Sequence, residues 1–255
     1  MRRGMSFRSG NPALTSKTFT NAAPDASGET MTLDGTVNKT TISLLMLILA
    51  AYYTFSMPIE KSAVFVFPGI IGGFIVALIT IFKKQWAPYT VPLYSILEGL
   101  ALGGISAIYN STYTNIVQDA IFITFGIFCA LLFAYKTGFI KATENFKLGV
   151  FAGTAGIGII YLAHFIMGFF GPGLGIMSLG TPDNPVSLMS IGFSVFVVIM
   201  ASLNLVLDFD FIEQGAEVGA PKYMEWYGAF GLIVTLVWLY LEILRLLAKL
   251  QSRRS

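Results

Sequence analysis

The sequence predicts an all-α integral membrane protein, a bundle of seven transmembrane helices with the last helix central. Three observations carry that prediction. Of the 255 residues 55% are apolar and only 12% are charged, against about 25% charged in an ordinary globular domain, and the mean hydropathy is +0.72. Seven runs approach or exceed the roughly 20 apolar residues that cross a bilayer. Finally, a carboxylate, Glu242, lies well inside the last of those runs, where it needs a protein or water environment because an acid in hydrocarbon costs about 2.5–3.5 kcal/mol on insertion scales.

Residues 1–39 read as a flexible cytoplasmic tail, rich in Ser, Thr, Asn and Gly, with Arg2, Arg3, Arg8 and Lys17 and no apolar run fit for a signal peptide. The transmembrane domain spans 40–250 and a short basic tail follows at 251–255. The expected spans are Thr40–Met57, Ser62–Phe82, Val91–Tyr109, Ile116–Tyr135, Leu148–Phe170, Val186–Leu207 and Tyr223–Leu247, punctuated by Pro58, Pro88, Pro172, Pro182, Pro185 and Pro221. Small residues at helix-packing spacing, Gly69 and Gly73, Gly99 and Gly103, Gly149 and Gly153, read as sites of close helix approach.

Basic residues in short loops mark the cytoplasmic side. With the N-terminus inside, the inner loops hold Lys83, Lys84, Lys136, Lys141, Lys147 and Lys222, and the outer loops only Lys61. Seven spans then put Lys249, Arg253 and Arg254 outside, a dissent that a six-span form with a re-entrant last segment would remove. The length and apolarity of Tyr223–Leu247 favour seven.

Composition also excludes function classes. The net charge of +2 and the lack of a basic patch interleaved with aromatics argue against nucleic acid as a partner. One cysteine, Cys129, and one histidine, His164, leave no disulfide framework and no multi-histidine metal site. No nucleophile–base or metalloprotease pattern appears, so no enzyme and no cofactor are expected. The aromatic residues, Tyr161 and Tyr240 among them, read as core or lipid-facing, and His164 as a hydrogen-bonded packing residue.

The chemistry-bearing residues are the acids. Asp208, Asp210 and Glu213 follow the sixth span; Asp208 reads as the buried, functional one, Asp210 and Glu213 as a solvated helix end. Glu242 has two readings: a local ion pair with Arg245, three residues on, or a functional intramembrane carboxylate. It lies roughly 25 Å along the helix from Glu225. Glu98 opens the stretch Glu98-Gly99-Leu100-Ala101-Leu102-Gly103-Gly104 with no basic residue within a turn, so it needs another helix, a water or a proton.

Leu207-Asp208-Phe209-Asp210-Phe211-Ile212 in the sixth span, Leu239-Tyr240-Leu241-Glu242-Ile243 in the seventh and Gly99-Leu100-Ala101-Leu102-Gly103 in the third resemble the Bax inhibitor-1 family (the TMBIM proteins). Asn11-Pro12-Ala13-Leu14 and Met224-Glu225-Trp226-Tyr227 look like its bacterial YccA- and YetJ-like members. The resemblance implies a calcium-permeable leak of the cell membrane, gated by a pair of aspartates shared between the last two spans. By position these fall on Asp208 and Glu242, which it also implies as calcium ligands, with Glu98 and Asp210 along the ion path. The seventh-span residue here is Glu, which keeps the charge and adds a methylene. The connection between the two acids is longer than in compact bacterial members by roughly three helical turns. If the helices protrude as a hairpin, Asp208 meets Glu242; otherwise it pairs with Glu225. An acid on the second span of some relatives is missing, and Glu98 stands in for it. A competing function of another class, also implied by the resemblance, is a regulatory partner of a membrane protease or quality-control complex.

Overall fold

The computed structural model describes residues 28–171, 173–179 and 186–253. Expectations resting on 1–27 (most of the N-terminal tail, with its Asn-Pro-Ala-Leu segment), on Pro172, Pro182 and Pro185, and on Arg254 and Ser255 lie outside the described residues. Seven long helices follow one another: α1 (Leu33–Phe55), α2 (Ile59–Phe82), α3 (Ala87–Thr112), α4 (Ile116–Lys136), α5 (Glu144–Gly168), α6 (Leu188–Glu217) and α7 (Met224–Ser252), with 3₁₀ turns at Lys84–Trp86 and Gly175–Met177. All seven are long and apolar enough to cross a membrane. The seventh is one continuous helix of 29 residues, about 43 Å at 1.5 Å per residue, so it is not re-entrant.

The helices overrun the predicted spans at their polar ends. α1 starts at Leu33, seven residues before the apolar run, because the Thr32 hydroxyl caps it, accepting from the Gly35 N–H at 3.0 Å. Asp34, Asn38 and Lys39 then occupy helical turns that hydropathy alone would leave out. α6 continues to Glu217, ten residues past Leu207, and carries Asp208, Asp210 and Glu213 inside the helix rather than at its end.

The chain divides into two units. The first holds residues 28–112 and 208–234 among those described. In it α3 packs against α1 and α2, and the expected glycine contacts are real. A Cβ on Gly99 would collide with the Leu47 carbonyl of α1, one on Gly103 with the Ala51 carbonyl and the Thr54 hydroxyl, and one on Gly69 would come within 2.8 Å of Ala101 Cβ. Backbones approach that closely only where no side chain intervenes. Before α1, residues 29–31 lie along the α6–α7 turn: Met31 N–H donates to the Ala220 carbonyl at 2.6 Å and Lys222 N–H to the Glu29 carbonyl at 3.1 Å.

The second unit holds residues 113–207 and 235–253 among those described. Its core joins α5 to α6 through Val150, Ile157, Val197, Met200 and Leu207, with Tyr161, Phe193 and Trp238 packed against them. Here the glycine expectation holds only in part. Gly153 faces the Met200 side chain, but nothing lies within 4 Å of a Cβ on Gly149, so this pair does not bring two backbones together.

Burial separates the helices. In α7 61% of the apolar window is buried, in α3 and α6 50%, and in the other four 11–22%. The last helix is thus the most enclosed of the seven. Large apolar side chains such as Leu49, Phe67, Phe74, Phe122 and Phe165 stay exposed on the remaining helices, the surface that lipid covers.

Candidate functional site

The acids singled out by sequence sit on the three most enclosed helices. The spacing within α6 and α7 explains why polar groups gather there. On α6 the buried residues Ser190, Ser194, Val197, Ala201, Asn204 and Asp208 follow one another at alternating steps of four and three, which keeps them on one helix face. On α7, Thr235, Glu242 and Lys249 recur every seventh residue, all buried. Both helices therefore carry a polar stripe on an inward face.

In the second unit Glu242 is 2% exposed. Its Oε1 accepts from the Tyr161 hydroxyl at 2.6 Å and from Arg245 Nη1 at 2.8 Å. Arg245 Nη1 also donates to the Tyr161 oxygen at 3.0 Å, and its guanidinium lies 5.6 Å from the Tyr161 ring centroid. The three groups form a closed triangle in which the arginine charge and two hydrogen bonds compensate the acid, while the tyrosine ring face lies against the guanidinium. The predicted local pair with Arg245 exists. Tyr161, expected to be core or lipid-facing without chemistry, is instead a direct partner of Glu242. Nothing in the sequence around Tyr161 marks it; only the fold brings α5 to this level of α7.

Two turns further along, Lys249 is 0% exposed, although its place near the chain end suggests a free outer charge. Its Nζ donates to the carbonyls of Ile176 at 3.3 Å and Ser190 at 3.1 Å, and to Ser194 Oγ at 2.9 Å. Sequence reasoning missed this residue, and the seven-residue step from Glu242 is the signal that finds it. His164 packs nearby in sequence terms as expected: its Nδ1 accepts from the Leu174 N–H at 3.0 Å. Gly173 closes that turn at φ +72, with the His164 ring 2.7 Å from where a Cβ would stand, so only glycine fits.

In the first unit Asp208 is 0% exposed, flanked by Leu205, Val206, Leu207 and Phe209, all buried. Asp210 is half-buried and accepts from Gln214 Nε2 at 2.6 Å; Glu213 is exposed. Glu225 is fully buried. Its Oε1 accepts from the Thr32 N–H at 3.0 Å and the Thr32 hydroxyl at 2.8 Å, and Lys222 Nζ stands 3.2 Å away. The structure thus ties Glu225 to the start of α1. Glu98 on α3 is half-buried, its Oε2 2.8 Å from the position of a Cβ on Gly73 of α2. Asp208 and Glu242 belong to different units, and each carboxylate is described with its own surroundings. Among the described residues no group of three or more His, Cys, Asp or Glu side chains is placed to hold a metal ion.

Seven enclosed-and-lipid-facing helices with buried acids on the sixth and seventh meet an independent comparison at this point. The chain matches the family described as Bax inhibitor 1 like over residues 11–252. It belongs to that family. No curated protein matches the chain. The family and the seven spans make it a multi-pass membrane protein.

Proposed function

We propose that the protein is a pH-sensitive leak channel for calcium or other cations in the cell membrane, gated by the carboxylates of Asp208 and Glu242. The observation that carries this reading is Glu242: a mid-span acid, 2% exposed, on the most enclosed helix, held by a tyrosine and an arginine. Acids at that depth mark ion and proton paths more often than they serve packing. Arg245 and Tyr161 fix Glu242 in position, and Asp208 supplies the second carboxylate. Deprotonated, the two carboxylates put negative charge on α6 and on α7, and that charge draws in a hard cation such as Ca²⁺, which prefers oxygen ligands. Flux therefore rises with pH.

The same reading places the N-terminus in the cytoplasm. The Lys counts of the loops support it, and the dissent at the C-terminal end weakens, because Lys249 is buried.

Purified full-length protein in liposomes loaded with a calcium dye, assayed across pH, tests the proposal. Wild type should admit calcium increasingly as pH rises. Asp208→Asn and Glu242→Gln should each flatten that dependence, and the double variant should be no worse than either single one, because the two act as a unit. Additive effects would show two separate sites. Absence of flux at every pH would retire the channel and favour the regulatory role beside a membrane protease.

A further inference from the structure

We propose that Lys249 is a tethered cation that plugs the ion path at the end of α7; the inference rests on the leak reading above. An ammonium group has three N–H donors and no acceptor. In the second unit Lys249 Nζ meets three oxygens, the Ile176 carbonyl, the Ser190 carbonyl and the Ser194 hydroxyl, at 3.3, 3.1 and 2.9 Å. None of these acceptors is an acid. A lysine buried without a carboxylate is costly unless its donors are all met, and this cradle meets them. Neutral carbonyl and hydroxyl oxygens around one small cation are also what a dehydrated permeant ion requires. The side chain supplies its own occupant for such a site.

The position of the cradle gives the occupant a role. Glu242, Arg245 and Lys249 stand at steps of three and four on α7, so acid, base and base share one stripe. A cation attracted to Glu242 faces Arg245 and then Lys249 on the next turns toward the helix end. The cradle oxygens come from Ile176 and from Ser190 and Ser194, the first polar residues of the α6 stripe. Ser190 Oγ donates to the Ile176 and Ser178 carbonyls at 2.8 and 3.1 Å, and Ser252 Oγ to the Leu179 carbonyl at 3.3 Å. Residues 176–179 are thereby fastened over the end of α7 around the ammonium. The structure assigns Lys249 two effects: it fills the oxygen site, and its charge repels a second cation.

The test uses the full chain in dye-loaded liposomes, with thermal melting in detergent measured beside flux. Lys249→Gln keeps amide donors for the cradle but removes the charge, and should raise calcium flux on the order of tenfold. Lys249→Arg keeps the charge and should leave flux near wild type. Lys249→Ala should also leak, and n-propylammonium, which replaces the missing part of the side chain, should suppress that leak where tetramethylammonium does not. A merely structural lysine would shift melting without this charge dependence. Unchanged flux in a well-folded Lys249→Gln protein, alongside altered flux in Glu242→Gln, would overturn the plug and leave the leak reading standing. If neither wild type nor any variant conducts, the leak reading falls and the plug with it.

Discussion

Glu225 and Glu242 lie on the same helix, are buried alike at 0% and 2% exposure, and each has a basic residue three positions away, Lys222 before the one and Arg245 after the other. Their surroundings differ in kind. Glu225 sits in the first turn of α7 and reaches the first residue before α1, so its charge meets a backbone N–H and the positive ends of helix dipoles. Gly35 clears the space: a Cβ there would collide with the Glu225 carboxylate. Glu242 lies mid-span, where helical backbone N–H groups are already used, and only side chains can compensate it. Backbone donors at a helix end cannot leave. Arg245, 29% exposed at its side chain, and Tyr161 can rotate away. One acid is thereby a fastening and the other a group whose partners can change, although burial and spacing alone would rank them equal.

The largest expected effect comes from removing Arg245. Arg245→Leu leaves Glu242 buried beside Tyr161 with its charge uncompensated, and breaking one side of a buried ion pair costs about 3–5 kcal/mol. The thermal midpoint in detergent should fall well below that of Glu242→Gln, since Gln still accepts from Tyr161 and leaves a half-exposed arginine free to reach water. Equal melting of the two variants would mean that the triangle does not hold Glu242, and the contrast with Glu225 would lose its basis.

The second test acts on the other glutamate. Glu225→Ala removes the acceptor for the Thr32 N–H and hydroxyl, and should cost about 1–3 kcal/mol. Thr32→Ala, which loses the hydroxyl cap but keeps the N–H bond to Glu225, should cost about 1 kcal/mol. Neither should change the pH profile of calcium flux. A profile flattened by Glu225→Gln as much as by Glu242→Gln would place both acids in the gate and erase the distinction.

Much of this architecture is legible in the sequence, because the requirement that a span be apolar for about 20 residues is a one-dimensional rule. Seven helices, their order, and the acids on the sixth and seventh follow from it, and so does the enclosure of the last helix, since Glu242 has to be shielded from lipid. The helix starts are less legible: hydropathy misses Leu33–Lys39 because Thr32 and Glu225, not apolar side chains, decide where α1 begins. What surrounds each acid is legible only when the partner is local. Arg245 stands one turn from Glu242 and is readable; Tyr161 is 81 positions away and is not. Lys249 misleads for a related reason. A basic residue near the chain end reads as solvated, and only the seven-residue step on α7, taken with the serines of α6, shows it facing inward.

The smallest expected effect belongs to Glu98, which sharpens the comparison because it has neither a helix end nor an adjacent arginine. It is half-buried on α3, against Gly73 of α2, where a Cβ would stand 2.8 Å from its Oε2. That atom is the far end of a flexible side chain, so Gly73→Ala displaces the carboxylate without forcing the two helices apart. If Glu98 belongs with Glu242 as a group along the ion path, Glu98→Gln and Gly73→Ala should both change calcium flux while melting moves by less than about 1 kcal/mol, the range of substitutions that open no cavity and bury no new charge. If it belongs with Glu225 as a fastening, melting should drop in Glu98→Gln and flux should follow only the fraction of folded protein. The position on α3, one of the three enclosed helices, favours the first outcome. Two variants that reach the same carboxylate by different routes, one through its charge and one through its place, make the choice independent of either substitution's side effects.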